Sequence, residues 1–146
     1  MLTPGAKTGT GIAGGNFLRS STGLHFQQQA VHTSETDANN SVDAADFING
    51  ICIHTVSQAR TLTTPTGAQI SAACPASLAV GDSFLFTVQT VGTGADDVST
   101  LTAGDGNVTF QGKVTVGPDI ADAGPPHGTW RFRNTGANTW VGYRIG

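Results

Sequence analysis

The clearest hydrophobic pattern in the chain lies in residues 80–92, where apolar and polar side chains alternate. Phe84, Phe86 and Val88 occupy every second position, and successive side chains of a β-strand point to opposite faces of its sheet. The positions between them are mostly polar, with Leu85 as the exception. Turn-forming glycines and aspartates flank the segment. The pattern predicts a half-buried strand at the centre of the core.

Further short strands follow at intervals of roughly 8 to 12 residues, with turn residues between them. β-Branched and aromatic residues favour strands at residues 47–55, 60–64, 98–102, 108–110 and 113–116. The pair Asp105-Gly106 suits a turn with positive φ, so residues 98–102 and 108–110 are expected to form a hairpin. The clearest predicted hairpin comprises residues 129–134 and 139–144.

One helix is expected, at residues 66–74, with Thr66 as its N-cap and Pro75 ending it. Elsewhere the composition disfavours helices, because the 20 glycines and many threonines weaken them and Glu occurs once, at Glu35. An all-β protein with a sandwich or barrel architecture is therefore predicted.

The first 40 residues differ from the rest of the chain. Glycine, serine, threonine and glutamine dominate there without a period of 2 or 3.6, which is typical of an extended arm. We therefore divide the chain into an N-terminal arm, residues 1–40, and one β-domain, residues 41–146. The arm holds a small group of anchoring residues that suits a groove on another subunit: Phe17, Leu18, Arg19, Leu24 and Phe26.

Charge and hydropathy restrict the partners. The chain has a net charge of −3 and lacks the cluster of basic residues that is typical of a nucleic-acid-binding protein. No apolar run approaches the roughly 18 residues of a membrane span, and no apolar leader segment is recognisable. We expect a soluble protein made in the cytoplasm, without a nucleic-acid or membrane partner.

No motif predicts a catalytic, cofactor or metal site. Residues 9–14 match the spacing Gly-x-Gly-x-x-Gly but lack the strand and helix that a dinucleotide site needs. The four histidines and the loop aspartates lack metal-ligand spacing, and turn formation accounts for the aspartates. Cys52 and Cys74 fit buried free thiols, with an internal disulfide as the alternative. We expect no enzyme activity, no cofactor and no small-molecule substrate.

The arginines of the last hairpin admit two interpretations. Arg131 and Arg133 lie opposite Trp130 and Phe132 by alternation, whereas Arg144 shares the parity of the apolar Trp140. They either form a solvated face that protects an edge hairpin from aggregation, or a protein-contact surface, where arginine is enriched. On the second interpretation, a capsid protein or a sister subunit contacts Arg131, Arg133, Arg144 and Leu85, which alternation places on the solvent face of its strand.

Four segments resemble the β-domain of structural proteins of tailed bacteriophages, notably those that infect cyanobacteria: residues 60–68, 80–88, 100–104 and 128–134. The similarity covers the β-domain and not the arm. It implies a jelly-roll-like decoration or cement protein on the virion surface, a homotrimer that clamps neighbouring major capsid subunits. It brings no catalytic residues with it.

Similar domains also occur on tail and fibre proteins. The alternative is therefore a carbohydrate- or receptor-binding module, in which Trp130, Trp140 and Tyr143 would be exposed stacking platforms. A hydrolase using the loop aspartates Asp97, Asp105 and Asp119 is the third hypothesis.

Overall fold

The computed structural model describes residues 31–34, 37–118 and 126–146, with side-chain placement from residue 37 onward. These residues are mostly β and form two sheets with two short helices. In chain order the elements are β1 Val31–Ser34, β2 Asn40–Ser41, α1 Ala44–Phe47, β3 Ile51–Thr55, β4 Arg60–Thr63, α2 Gly67–Ala73, β5 Ser83–Val91, β6 Ser99–Thr102, β7 Val108–Gln111, β8 Thr115–Val116, β9 His127–Gly136 and β10 Thr139–Arg144. The all-β prediction is confirmed.

From β1 to β6 the chain passes alternately between the two sheets. β1, β3 and β5 are parallel neighbours in one sheet, and β2, β4 and β6 are parallel neighbours in the other. Each strand of one sheet thus serves as the crossover that parallel neighbours in the other sheet require. The chain therefore passes back and forth between the two sheets over these six strands.

The remaining strands complete the sheets differently. The larger sheet has the order β1-β3-β5-β9-β10-β7, in which β9 is antiparallel to both β5 and β10. The smaller sheet has the order β2-β4-β6-β8. Jelly rolls consist of antiparallel Greek keys, whereas five of the eight strand pairs in the described chain are parallel. The topology therefore departs from the expected jelly roll.

The predicted hairpin of β6 and β7 is wrong, because the two strands belong to different sheets. The carboxylate of Asp105 accepts the backbone N–H of Gly67 at 3.1 Å, which ties the connecting loop to α2. β7 continues from that loop and pairs in parallel with β10, with Val108 opposite Trp140. The loop therefore crosses between sheets instead of reversing within one.

The strand predicted as the centre of the core is confirmed as β5. Phe84, Phe86 and Val88 are buried and face the neighbouring sheet. The ring of Phe47 lies 4.5 Å from that of Phe86 and 4.7 Å from that of Phe132, between centroids. Inward residues of the smaller sheet join the same cluster: Leu62, Leu101 and Val116. Both sheets thus enclose one core.

The predicted strand at residues 47–55 is correct only from Ile51 onward, because α1 was missed. Its single turn carries the side chain of Phe47 into the core, and Asn49 then reverses the chain with a φ of 55°. A Cβ at Gly50 would lie 1.6 Å from the carbonyl oxygen of Asp46, so only glycine fits there. Packing of one aromatic ring outweighs the strand preference of the flanking residues.

α2 and its cap are confirmed. The Thr66 hydroxyl accepts the backbone N–H of Gln69, and the Gln69 side chain accepts the N–H of Thr66, which completes a capping box. The sheets also reach back beyond residue 41, because β1 pairs with β3 and Asn40 pairs with Leu62. Strand pairing in the described chain therefore includes residues 31–34 and 40, which lie on the arm side of the predicted boundary.

A candidate protein-contact face

The outer face of the larger sheet brings together three of the predicted partner-binding residues. Leu85 of β5 is the register partner of Arg131 in β9, which is in turn the partner of Tyr143 in β10. In the next row Arg133 lies between Ser83 and Val141. Register partners on one face are neighbours. We call these six residues the outer rows: Ser83, Leu85, Arg131, Arg133, Val141 and Tyr143.

The inner face of the same strands fixes the orientation of the outer rows. Trp130 and Phe132 alternate with Arg131 and Arg133 along β9 and are fully buried, so the two arginines must point outward. A Cβ at Gly142 would lie 2.7 Å from the Phe132 ring, so the glycine leaves the space that the ring occupies against β10. Burial of this aromatic pair therefore determines the basic character of the opposite face.

The outer rows combine exposed cationic groups with partly exposed apolar ones. Arg131 and Arg133 are exposed, Tyr143 retains 39% of its surface, and Leu85 and Val141 are half-buried. Within the described chain neither arginine has a carboxylate partner. No aspartate or glutamate occupies an outward position of β3, β5, β7, β9 or β10, the strands of this sheet whose side chains are described.

Arg144 does not belong to this face. It lies on the inner side, with its guanidinium carbon 4.5 Å from the ring centre of Trp130. Burial lowers the pKa of Arg144. Its N–H groups donate to four backbone carbonyls, those of Lys113, Thr115, His127 and Gly146. The structure therefore separates Arg144, which fastens the fold, from Arg131 and Arg133.

The predicted anchoring residues of the arm lie outside the described residues: Phe17, Leu18, Arg19, Leu24 and Phe26. The glycine motif at residues 9–14 lies outside them too. Tyr143 and Val141 were not among the predicted contact residues, although their parity in β10 places them opposite Trp140. That parity was the sequence feature from which they could have been found.

His54 is the one buried histidine whose side chain is described, and it joins the two sheets. Its Nε2–H donates to the carbonyl of Ala38 at 3.2 Å, which leaves Nδ1 to accept from the Ser99 hydroxyl at 2.9 Å. Burial lowers the pKa of His54; the neighbouring Asp37 opposes this shift and Arg60 reinforces it. Ser99 is itself buried, so this pair connects β3 to β6 and presents no accessible nucleophile.

The loop aspartates that are described form turns, as predicted. The buried carboxylate of Asp97 accepts the backbone N–H groups of Thr93 and Gly94 at 2.8 and 2.6 Å. Asp105 accepts the N–H of Asn107 as well as that of Gly67. The Asp97 carboxylate is thus engaged by its own loop, and that of Asp105 by its own loop and by α2. No group of three metal-ligating side chains occurs among the residues with described positions; Asp119 falls outside them.

The cysteines are two buried free thiols, as predicted. Burial raises the pKa of Cys52 to about 12 and that of Cys74 to about 11. Because the thiolate is the reactive form, both are inert in the folded protein at neutral pH.

Neither indole is available as a stacking platform. Trp130 is 0% and Trp140 1% exposed, and the indole N–H of Trp140 donates to the Ser71 hydroxyl at 3.1 Å. Of the three aromatic residues expected to bind a carbohydrate, only Tyr143 reaches the surface.

No family model, curated protein or solved structure was found to match the chain. Among the helices of the described chain, none is long and apolar enough to cross a membrane.

Proposed function

We propose that this protein is a structural component of a bacteriophage virion, which decorates and cements the capsid as a homotrimer bound across neighbouring major capsid subunits. The proposal rests on the resemblance of the β-domain to phage structural proteins. One observation carries it further: the outer rows combine an exposed tyrosine with two exposed arginines that have no carboxylate partner among the residues with described side chains. Arginine and tyrosine are enriched at protein interfaces and their hot spots.

The use of the polar groups supports a scaffold role. His54, Asp97, Asp105 and Arg144 each bond to backbone or side-chain groups of their own fold. Within the proposal, the two sheets pack as a β-sandwich around their common core. Such a rigid body would hold the outer rows in place for binding, and little conformational entropy would be lost on contact.

Trimerisation gives the proposed cement its strength. Three copies of one modest contact, held in a single particle, act at high effective concentration, so the release of one copy does not release the others. In the same proposal the arm, residues 1–40, crosses onto a neighbouring subunit or onto the capsid. Deleting residues 1–26 would then lower capsid occupancy, and unchanged occupancy would remove the arm from the proposal.

The location on the virion can be tested directly. An antibody raised against the full chain should label the heads of intact phage particles in electron micrographs, and light scattering should give three times the chain mass of 14.9 kDa. Cryo-electron microscopy would then locate the trimer on the lattice. Absence of the chain from purified particles would overturn the proposal, and a monomer in solution and on the particle would overturn the trimer.

A carbohydrate- or receptor-binding module on a tail or fibre is the alternative. Tyr143 is the observation that favours it, because an exposed tyrosine can stack on a sugar ring. Antibody label on tails, together with binding on a glycan array that Tyr143→Ala abolishes, would support this alternative over the capsid proposal.

A further inference from the structure

We infer that the outer rows bind a carboxylate-bearing segment of the capsid subunit, with Arg131 and Arg133 as its two anion-binding groups. This inference rests on the proposed function and specifies the chemistry of the partner. It assigns the contact to one face of one sheet, and it excludes Arg144 from that contact.

The first argument is the distribution of charge. The chain carries ten acidic residues and a net charge of −3, yet the outward positions of the strands described above hold no carboxylate. Arg131 and Arg133 are therefore a local positive site on a negative protein. Neither is neutralised within the described chain, so a partner can supply the counter-charge without breaking an existing ion pair.

The second argument is the arrangement of the neighbours. Arg131 lies between Leu85 and Tyr143, and Arg133 lies between Ser83 and Val141. With strands about 4.8 Å apart, the outer rows extend from β5 across β9 to β10 and span about 10 Å. That span is the size of a hot-spot cluster rather than of a whole interface. Each guanidinium can bind one carboxylate through two hydrogen bonds, beside apolar surface that excludes water.

The same features argue against two other occupants. A nucleic acid requires a larger basic surface, and the net charge of −3 would repel a long polyanion. A second copy that docked its own outer rows by two-fold symmetry would bring arginine against arginine. An acidic protein segment satisfies both guanidinium groups without either conflict.

The test uses phage particles produced with each variant as the sole source of the chain. Arg131→Glu and Lys113→Glu change the net charge equally, and Lys113 is exposed outside the outer rows, on the loop between β7 and β8. The double variant Arg131→Glu/Arg133→Glu is the stronger test. Occupancy is measured by quantitative mass spectrometry relative to the major capsid protein, and melting temperatures and light scattering verify that each variant folds and assembles.

We expect occupancy to fall at least about tenfold for the double variant and to remain unchanged for Lys113→Glu. The wild type should also dissociate faster in 0.5 M than in 0.05 M NaCl, and Arg131→Lys/Arg133→Lys should retain part of the binding. If the folded double variant reaches the same occupancy on the particle as the wild type, the inference fails while the proposed function stands. Loss of the trimer in the double variant would instead identify a second copy as the occupant and overturn the inference. A wild-type chain that is absent from particles would overturn both.

Discussion

Arg131 and Arg144 lie on β9 and β10, the two paired strands of one hairpin, but their side chains have different surroundings. Arg131 is exposed on the outer face and has no charged partner within the described residues. Arg144 lies on the inner side over Trp130 and donates to four carbonyl oxygens. Parity along the strand decides which arginine belongs to the fold and which remains available to a partner.

The whole sheet follows the same division. Inner positions carry the aromatic cluster and the buried His54, whereas outer positions carry threonines, aliphatic groups and the two exposed arginines. Substitutions on the inner face should therefore act on stability, and substitutions on the outer face should act on binding. Four variants or pairs of variants test whether the inner face determines stability and the outer face determines binding.

The largest effect is expected from Phe132→Ala on the inner face. The Phe132 ring is fully buried and contacts those of Phe47, Phe84 and Phe110 at centroid distances of 4.7, 5.6 and 5.9 Å. Removing it should lower the free energy of unfolding by about 3–5 kcal/mol. Urea denaturation measures the change, and Val141→Ala on the outer face is the control, with a loss below about 1 kcal/mol. Equal losses would contradict the division into two faces.

Arg144→Ala should lower the free energy of unfolding by less than Phe132→Ala does. The variant removes the contact with Trp130 and leaves carbonyls of three chain segments without their donor, so the free energy of unfolding should fall by about 2 kcal/mol. Arg144→Lys keeps the charge but cannot reach four carbonyls at once, and should restore less than half of the loss. Full recovery with lysine would show that charge alone matters at this position.

The pH dependence of the free energy of unfolding tests a titratable group of the inner face. His54 is buried on the inner face of β3. Because burial lowers the pKa of His54 in the folded state, the unfolded chain binds this proton first as the pH falls below about 6.5. His54 should therefore lower the stability of the fold from there downward, with a slope of at most about 1.4 kcal/mol per pH unit.

Denaturation curves between pH 8 and 5 measure that slope. His54→Gln should flatten it, since glutamine is neutral and can still donate to the Ala38 carbonyl. An unaltered slope in His54→Gln would mean that another group titrates in this range. The Asp37 carboxyl does not interfere, because hydrogen bonds from Arg60 and Ser57 hold its pKa well below its usual value of 3.8.

Local periodicity was sufficient to predict the central strand, the final hairpin and the capped helix. Each depends on contacts between near neighbours in sequence: alternation in β5, a short turn between β9 and β10, and the Thr66 capping box. The arginines of β9 were assigned to a contact face for the same reason, and the structure brings Arg131 and Leu85 together there.

The parallel winding could not be predicted in this way. The register that aligns Val31 with Ile51 and Ile51 with Thr87 depends on contacts between distant segments, and alternation within a strand does not specify its neighbour. β6 and β7 therefore suggested a hairpin, although packing places them in different sheets. Arg144 was grouped with Arg131 and Arg133 by charge although it shares the parity of Trp140, and the structure places it on the inner side of the sheet, as that parity indicates.

The smallest effect on stability is expected where the effect on binding should be largest. Arg131→Ala and Arg133→Ala remove exposed side chains without a charged partner among the described residues, so the free energy of unfolding should change by less than about 0.5 kcal/mol each. Urea denaturation measures the effect on stability, and capsid occupancy measures the effect on binding. Thr109→Ala on neighbouring β7 is the control for both measurements. A loss of 2 kcal/mol or more would mean that the outer arginines stabilise the fold as Arg144 does. Reduced occupancy with unchanged stability would instead establish that the sheet uses its inner face for folding and its outer face for recognition.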